Sequence, residues 1–257
     1  MKVLLEAPIL TKSGYGEHAR LVLRSIKEVS PDVEIFLEPL NWGATTWSHP
    51  SEEIIADVRR QAEYLHYCEN NNENPSYDVQ IRVGIPNEFE KRAPYSVCVT
   101  AGIETDRVSV NWLTKTHQGI DKIIVPSEHS RAGFVDTKYQ LINNSNNTKT
   151  EISCNCAVDV VPYPVKKTQP SAELPSLQLE TEFNFLTVAM MGPRKNLENG
   201  IRCFVEEFRD NENVGLIVKT SMARSCVMDR VKTKKAFKNL LDSLGEKKCK
   251  VYLLHGD

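Results

Sequence analysis

The chain has 257 residues, enough for one large domain or two modest ones. Hydrophobic residues make up 40% and charged residues 26%, and 32 basic against 34 acidic side chains leave a net charge of −2. That composition excludes bulk disorder, and that balance excludes the broad basic field by which charge alone points to nucleic acid.

Short apolar runs alternate with helical patterns, and there is no internal repeat. Val3 to Ala7 reads as a strand. In the segment from Glu17 to Val29, Ala19, Val22, Leu23 and Ile26 recur at i, i+3, i+4, i+7, which is one face of a helix. Val33 to Leu37 is strand-like, and Ser51 can cap a helix whose apolar side holds Ile54, Ile55, Val58, Ala62 and Leu65. Strands follow at Asp78 to Val83, Tyr95 to Thr100 and Ile120 to Val125, and Ser127 caps another short helix. Asn143 to Thr150 is polar and turn-rich and reads as a surface loop. Lys166 to Glu180, with two prolines and no periodicity, reads as a linker between domains. The alternation then restarts with a strand at Phe183 to Ala189, a helix marked by Leu197, Ile201, Phe204 and Phe208, and a strand at Val214 to Lys219. A basic helix from Asp229 to Leu244 and a strand from Val251 to Leu254 complete the chain. Strands alternating with helices imply parallel sheets of the α/β class, here two Rossmann-like doubly wound domains. Residues 1–165 form the first, 166–180 the linker and 181–257 half of the second, a half that leaves a sheet edge and an apolar face uncovered. A fragment of a longer protein is therefore expected.

No apolar run approaches the roughly 20 residues of a spanning helix. Glu6 and Pro8 interrupt the first apolar run too early for a signal peptide. Seven cysteines, odd in number and scattered, argue against a disulfide framework and for a reducing cytoplasmic location. Cys154 and Cys156 form the one close pair, without a second pair or histidines at helical spacing. Ile152, Cys154, Cys156, Val158 and Val160 alternate with more polar residues, so burial from an extended segment is favoured over a zinc site.

Ligands of open parallel sheets bind at the carboxyl ends of the strands, and three stretches there have the right residues. Ser13-Gly14-Tyr15-Gly16 precedes the first helix, where glycines permit close backbone approach and a helix start offers free N–H groups. Gly14-x-Gly16-x-x-Ala19 matches the dinucleotide fingerprint, but Pro8 to Ser13 intervene after the strand, which disfavours a dehydrogenase. Gly192-Pro193-Arg194-Lys195-Asn196 puts two cations ahead of a helix, where the macrodipole is already positive. Such a placement suits a diphosphate, and Lys219 ends the neighbouring strand. Thr100 to Asp106 brings Glu104 to a third strand end, where a carboxylate can accept sugar hydroxyls or take a proton. His18 and His117 are further candidates, read locally as structural or solvated. No Walker pattern, Ser-His-Asp spacing or carboxylate–histidine metal cluster is present.

Four segments, in this order, resemble nucleotide-sugar glycosyltransferases of the GT-B fold, the group 1 or family 4 type. Ser13-Gly14-Tyr15-Gly16-Glu17-His18-Ala19 is similar to the family's N-terminal glycine loop, and Asp121 to Ser130 to its strand, Pro-Ser, helix segment. Val160-Val161-Pro162-Tyr163-Pro164-Val165 is similar to the end of the N-terminal domain, and Arg194-Lys195-Asn196 to the basic turn that contacts phosphate. Two departures stand out. Pro193 follows Gly192 in place of the family's arginine, and the paired-glutamate donor region has no counterpart before His255-Gly256-Asp257.

The resemblance implies transfer of a sugar from a nucleotide-diphosphate donor to a hydroxyl of a glycan or small molecule, with retention of configuration. Arg194 and Lys195 would stabilise the leaving diphosphate without a metal or cofactor, and Lys219 would line the same site. Gly14, Tyr15, Gly16 and His18 would lie against substrate, and Glu104, the candidate catalytic residue, would hydrogen-bond a sugar or orient the acceptor hydroxyl. No nucleic-acid or membrane partner is implied. The competing readings are a non-catalytic sugar- or nucleotide-binding remnant and a sugar-nucleotide epimerase of the same architecture.

Overall fold

A computed structural model of the chain describes residues 1–142, 147–165, 169 and 177–256. Two compact units are present: Met1–Trp42 with Trp47–Lys166, and Lys167–Asp257 with Gly43–Thr46. Both are α/β. Among the described residues no helix is long and apolar enough to cross a membrane.

The first unit is built on a six-stranded parallel sheet. Its strands are β1 (Lys2–Ala7), β2 (Glu34–Pro39), β3 (Val79–Val83), β4 (Tyr95–Val99), β5 (Lys122–Val125) and β8 (Ala157–Val160), in the order β2-β1-β3-β4-β5-β8. The strand order reverses after β2, which places α1 (Gly14–Val29) on one face. Ala19 and Leu23 of α1 pack there with Leu5, Leu37, Val83, Val97 and Val99. The opposite face carries α3 (Val110–His117) and α4 (Glu128–Val135), whose Leu113 and Phe134 pack on Cys98, Ile123 and Val158. The helix α2 (Glu52–Asn70) lies at the β2 edge and serves both sides, with Ile54 and Val58 reaching the first cluster and Tyr64 a small one around Phe36 and Tyr77. Serine caps start these helices: Ser13, Ser51, Ser109 and Ser127 each accept a hydrogen bond from a backbone N–H of the first turn.

Two local departures from the sequence reading have physical causes. The fully buried residues of α2 are Asp57, Gln61 and Cys68, while Ala62 is exposed. The helix turns a polar stripe inward because its neighbours there are Glu38, Tyr77 and Lys27: Gln61 donates to Glu38 at 3.1 Å and accepts from the Tyr77 hydroxyl at 3.0 Å, and Lys27 meets Asp57 at 2.6 Å. Of the stretch expected as a surface loop, residues 143–146 lie outside the described residues, and Lys149 and Thr150 are strand, because β7 (Lys149–Ile152) pairs antiparallel with β6 (Tyr139–Ile142).

At the carboxyl end of β1 sits Glu6, only 3% exposed. The parallel register aligns it with Glu38 on β2 and Arg82 on β3. Arg82 and Arg92 each approach its carboxylate at 3.3 Å, Arg92 also binds Glu38 at 2.8 Å, and the Gln80 amide donates to Glu6. A buried carboxylate is tolerated only where such partners replace its water.

The second unit has the parallel order β11-β10-β9, with β9 (Phe183–Val188), β10 (Val214–Thr220) and β11 (Lys250–His255). Both helices, α5 (Leu197–Phe208) and α6 (Val227–Ser243), share one core with Leu216 and Val218, built from Ile201, Phe204, Val205, Phe237 and Leu240. Leu186 and Val188 of β9 align with Ile217 and Lys219, and they remain 65% and 64% exposed. The residues 166–180 expected as a linker lie mostly outside the described residues.

Substituting Glu6→Ala leaves the guanidinium of Arg82, among the described residues, with Glu88 as its remaining ion-pair partner, at 3.5 Å. It is expected to destabilise the first unit by about 3–5 kcal/mol, whereas Glu38→Ala, at a more exposed pair, costs about 1 kcal/mol or less. Urea unfolding of the two variants checks this, and equal losses would contradict it.

Candidate functional site

Each unit gathers its loops at the carboxyl edge of its sheet. In the first unit the loop from Pro8 to Ser13 is held tightly. Thr11 donates its hydroxyl to the Pro8 carbonyl at 2.9 Å, and Arg20 donates to the carbonyls of Ile9 and Thr11 at 2.6 and 3.0 Å. Ser13 accepts from Gly16 N at 2.9 Å and starts α1. The two glycines have different reasons to be there. A side chain on Gly16 would collide with the carbonyl oxygen of Thr11, so this glycine serves the chain's own packing. At Gly14 a Cβ meets nothing within 4 Å, and this is the glycine that a ligand can approach.

Tyr15 ties the helix start to the end of β4. Its hydroxyl accepts from Ala101 N and shares a hydrogen bond with the Thr100 hydroxyl, each at 3.1 Å, and its ring lies 4.3 Å from Trp42. The loop that follows Thr100 carries Glu104, which is exposed. That loop is fixed by Ser130, which accepts from Ile103 N at 3.3 Å, and by His129, which donates to the Thr105 carbonyl at 3.1 Å.

His18 lines a largely apolar cavity of about 300 Å³ with Val22, Val97, Val99, Ile124 and Tyr163. Its ring meets Tyr163 edge-on at 4.8 Å, and its Nδ1 is buried without a hydrogen-bond partner among the described residues. Burial lowers its pKa, so the imidazole is neutral near pH 7. A neutral imidazole with an unused nitrogen can share a hydrogen bond with a hydroxyl that enters this cavity. His117, by contrast, is exposed and donates to the Ser153 carbonyl at 2.9 Å.

In the second unit, Arg194 and Lys195 lie on a short 3-10 turn, Pro193–Lys195, and both are exposed. Asn196 then takes a left-handed conformation with φ 49° and opens α5 without a side-chain cap. The first N–H groups of the helix therefore lack the serine that caps the helices of the first unit. A cavity of about 310 Å³ lies at this point, lined by Met191, Gly192, Pro193, Asn196, Leu197 and Glu198. Glu198, in the first turn, partly offsets the two cations. Lys219 is half-buried near the carboxyl end of β10, but it alternates with Val218 and Thr220, so it leaves the sheet on the face away from the core of α5 and α6.

The most tightly bonded group at this edge is one that the sequence reading did not single out. Asp229 and His255 are both nearly buried and meet at 2.8 Å. Asp229 also accepts from Met222 N at 3.2 Å and Ala223 N at 3.0 Å. Burial opposes its charge, but the His255 ring and the backbone N–H groups outweigh it, and the carboxyl lies below its ordinary value. The position of Asp229 in the first turn of a helix is legible in sequence; a partner 26 residues away is not.

Gly16→Ala is expected to cost about 2–3 kcal/mol of stability with no ligand present, and Gly14→Ala essentially none. Thermal melting of both variants checks the distinction. For Asp229 the sign follows from its lowered carboxyl: its contribution is full above the unfolded value of about 3.8 and fades as pH falls through the lower folded value. Asp229→Asn is expected to lose about 1.5–3 kcal/mol at pH 7. Denaturant unfolding at pH 7 and pH 3 should show that gap narrowing in acid; a gap that stays constant would contradict the assignment.

A scan against models of known protein families gives no match to the chain, and a search of curated proteins gives none.

Proposed function

We propose that the chain binds a nucleotide-diphosphate sugar and belongs to a glycosyltransferase that moves the sugar to a hydroxyl acceptor. The observation that carries this reading is the cavity at the start of α5, beside an uncapped helix N-terminus, with Arg194 and Lys195 exposed on the preceding turn next to the residues that line it, though not among them. Helix N–H groups and two adjacent cations suit the two charges of a diphosphate better than any neutral group. In the proposed reaction they stabilise the negative charge that develops on the leaving diphosphate, a role that is electrostatic and needs no proton transfer. The order of the four sequence segments from Ser13 to Asn196 supports the same assignment.

In the first unit, the open approach to Gly14 and the neutral His18 in its apolar cavity suit a hydroxyl-bearing ligand. Tyr15 is proposed as a residue that positions the glycine loop, since its hydroxyl is already engaged by Thr100 and Ala101. Glu104 is proposed to orient the acceptor from the loop after β4. Lys219 is proposed to act at long range, because its side chain leaves the far face of the sheet.

The test is binding of nucleoside diphosphates to the 257-residue chain by calorimetry. Arg194→Ala and Lys195→Ala should each weaken diphosphate binding by about one to two decades, the loss of one charge-assisted hydrogen bond. Binding of the nucleoside without phosphate should not change, and melting should shift little, because exposed cations near a helix N-terminus add little to stability. Undiminished diphosphate affinity in both variants would remove this turn from the site.

A further inference from the structure

The loop from Ser153 to Cys156, between β7 and β8, holds two thiols that the proposed sugar chemistry does not use. The sulfurs of Cys154 and Cys156 lie 3.9 Å apart, and the Cys154 thiol also points at the Cys156 carbonyl oxygen at 3.6 Å. Both side chains are half-buried at the border of the core that contains Cys98, Leu113, Ile152 and Val158. The loop is fixed from α3: Thr116 accepts from Asn155 N at 3.0 Å, and His117 donates to the Ser153 carbonyl at 2.9 Å. Two thiols separated by a single residue, already turned toward each other on an anchored backbone, have to close from 3.9 Å to about 2 Å to bond.

We propose that Cys154 and Cys156 form a reversible dithiol–disulfide pair that exchanges with low-molecular-weight disulfides of the glutathione type. The Cys154 thiolate attacks one sulfur of the small disulfide, its S–S bond breaks, and the departing thiolate takes a proton from water. Cys156 then gives its proton to water and attacks the Cys154 sulfur of the mixed disulfide, and the second small thiolate leaves and is protonated. Two protein thiols are oxidised, and one small disulfide is reduced to two thiols. The order of attack follows from the surroundings. The hydrogen bond from Cys156 outweighs burial and, with the nearby His117, holds the Cys154 thiol below its usual pKa. Cys156 is raised by the same hydrogen bond and by burial, with Cys154, Cys98 and Asp121 adding to the effect. Cys98, fully buried and pushed up to about 12, takes no part. A ring closed across a single intervening residue is strained, which places it among the labile disulfides, open to reduction by the same thiol pool.

The experiment incubates the chain in glutathione buffers of stepped oxidised-to-reduced ratio, quenches with an alkylating agent and maps the peptides by mass. The Cys203→Ser, Cys226→Ser double variant is used in parallel, because those two thiols are exposed and form mixed disulfides of their own. The expected result is a peptide spanning Cys154 and Cys156 that loses two hydrogens, escapes alkylation at both sites together, and regains both thiols in excess reduced glutathione. Cys154→Ser should abolish the two-hydrogen loss. The proposal is overturned if both thiols alkylate at every ratio, if glutathione stays attached to Cys154 without displacement by Cys156, or if the closed pair resists excess reduced glutathione.

Discussion

Within each of the two larger sheets the strands run parallel, so all of them end at one edge and release the chain there into loops and helix starts. That single direction decides where this chain can meet a ligand. In the first unit it brings together the glycine loop after β1, Gly84 after β3 and the Thr100 loop after β4. The reversal of strand order at β1 sends the connections on its two sides to opposite faces, which opens the edge between β1 and β3. The hydroxyl of Tyr15 closes part of that opening by joining the glycine loop to β4. The backbone at Gly14 and the cavity beside His18 stay accessible.

The same arrangement explains why a buried carboxylate sits in the sheet. β1 has neighbours on both sides, so Glu6 cannot turn to solvent at a sheet edge. Arg82 comes from the adjacent strand, and Arg92 from the connection between β3 and β4, whose one helical element is the three-residue turn Pro86–Glu88. Gln80 links that connection to the sheet: its amide donates to Glu6 and to the Glu90 carbonyl, and its carbonyl accepts from Arg92 N at 2.8 Å. A network in which each member needs the others fixes one register of β1, β2 and β3, because a slip by one residue would strand charges against Leu5, Leu37 and Ile81.

The strands and long helices were legible because their apolar residues recur at the period of the element, as Ala19, Leu23 and Ile26 do in α1. The elements that sequence did not reveal have little periodic signal. α3 has eight residues and fully buries only Leu113 and Thr116, and β6 leaves Leu141 and Ile142 exposed. The inward face of α2 misled for the opposite reason: Asp57 and Gln61 are polar, and only their partners on other elements make them core residues. At the candidate site the composition of the turns could be read, but not the division of labour within them. Gly14 and Gly16 look alike in sequence and differ in what surrounds their Cα atoms, and the Asp229–His255 pair depends on a contact between the start of α6 and the end of β11.

In the second unit the edge of the sheet presents an uncapped helix, two exposed cations and a cavity within one short stretch, Met191 to Glu198. The claim that this stretch receives a diphosphate is tested most directly by backbone amide chemical shifts, recorded while nucleoside diphosphates are titrated into the labelled chain. The amides from Gly192 to Glu198 should move in a saturable way with the diphosphates and stay in place with the corresponding nucleosides. Amides there that remain still, or that move equally with the nucleoside, would contradict it.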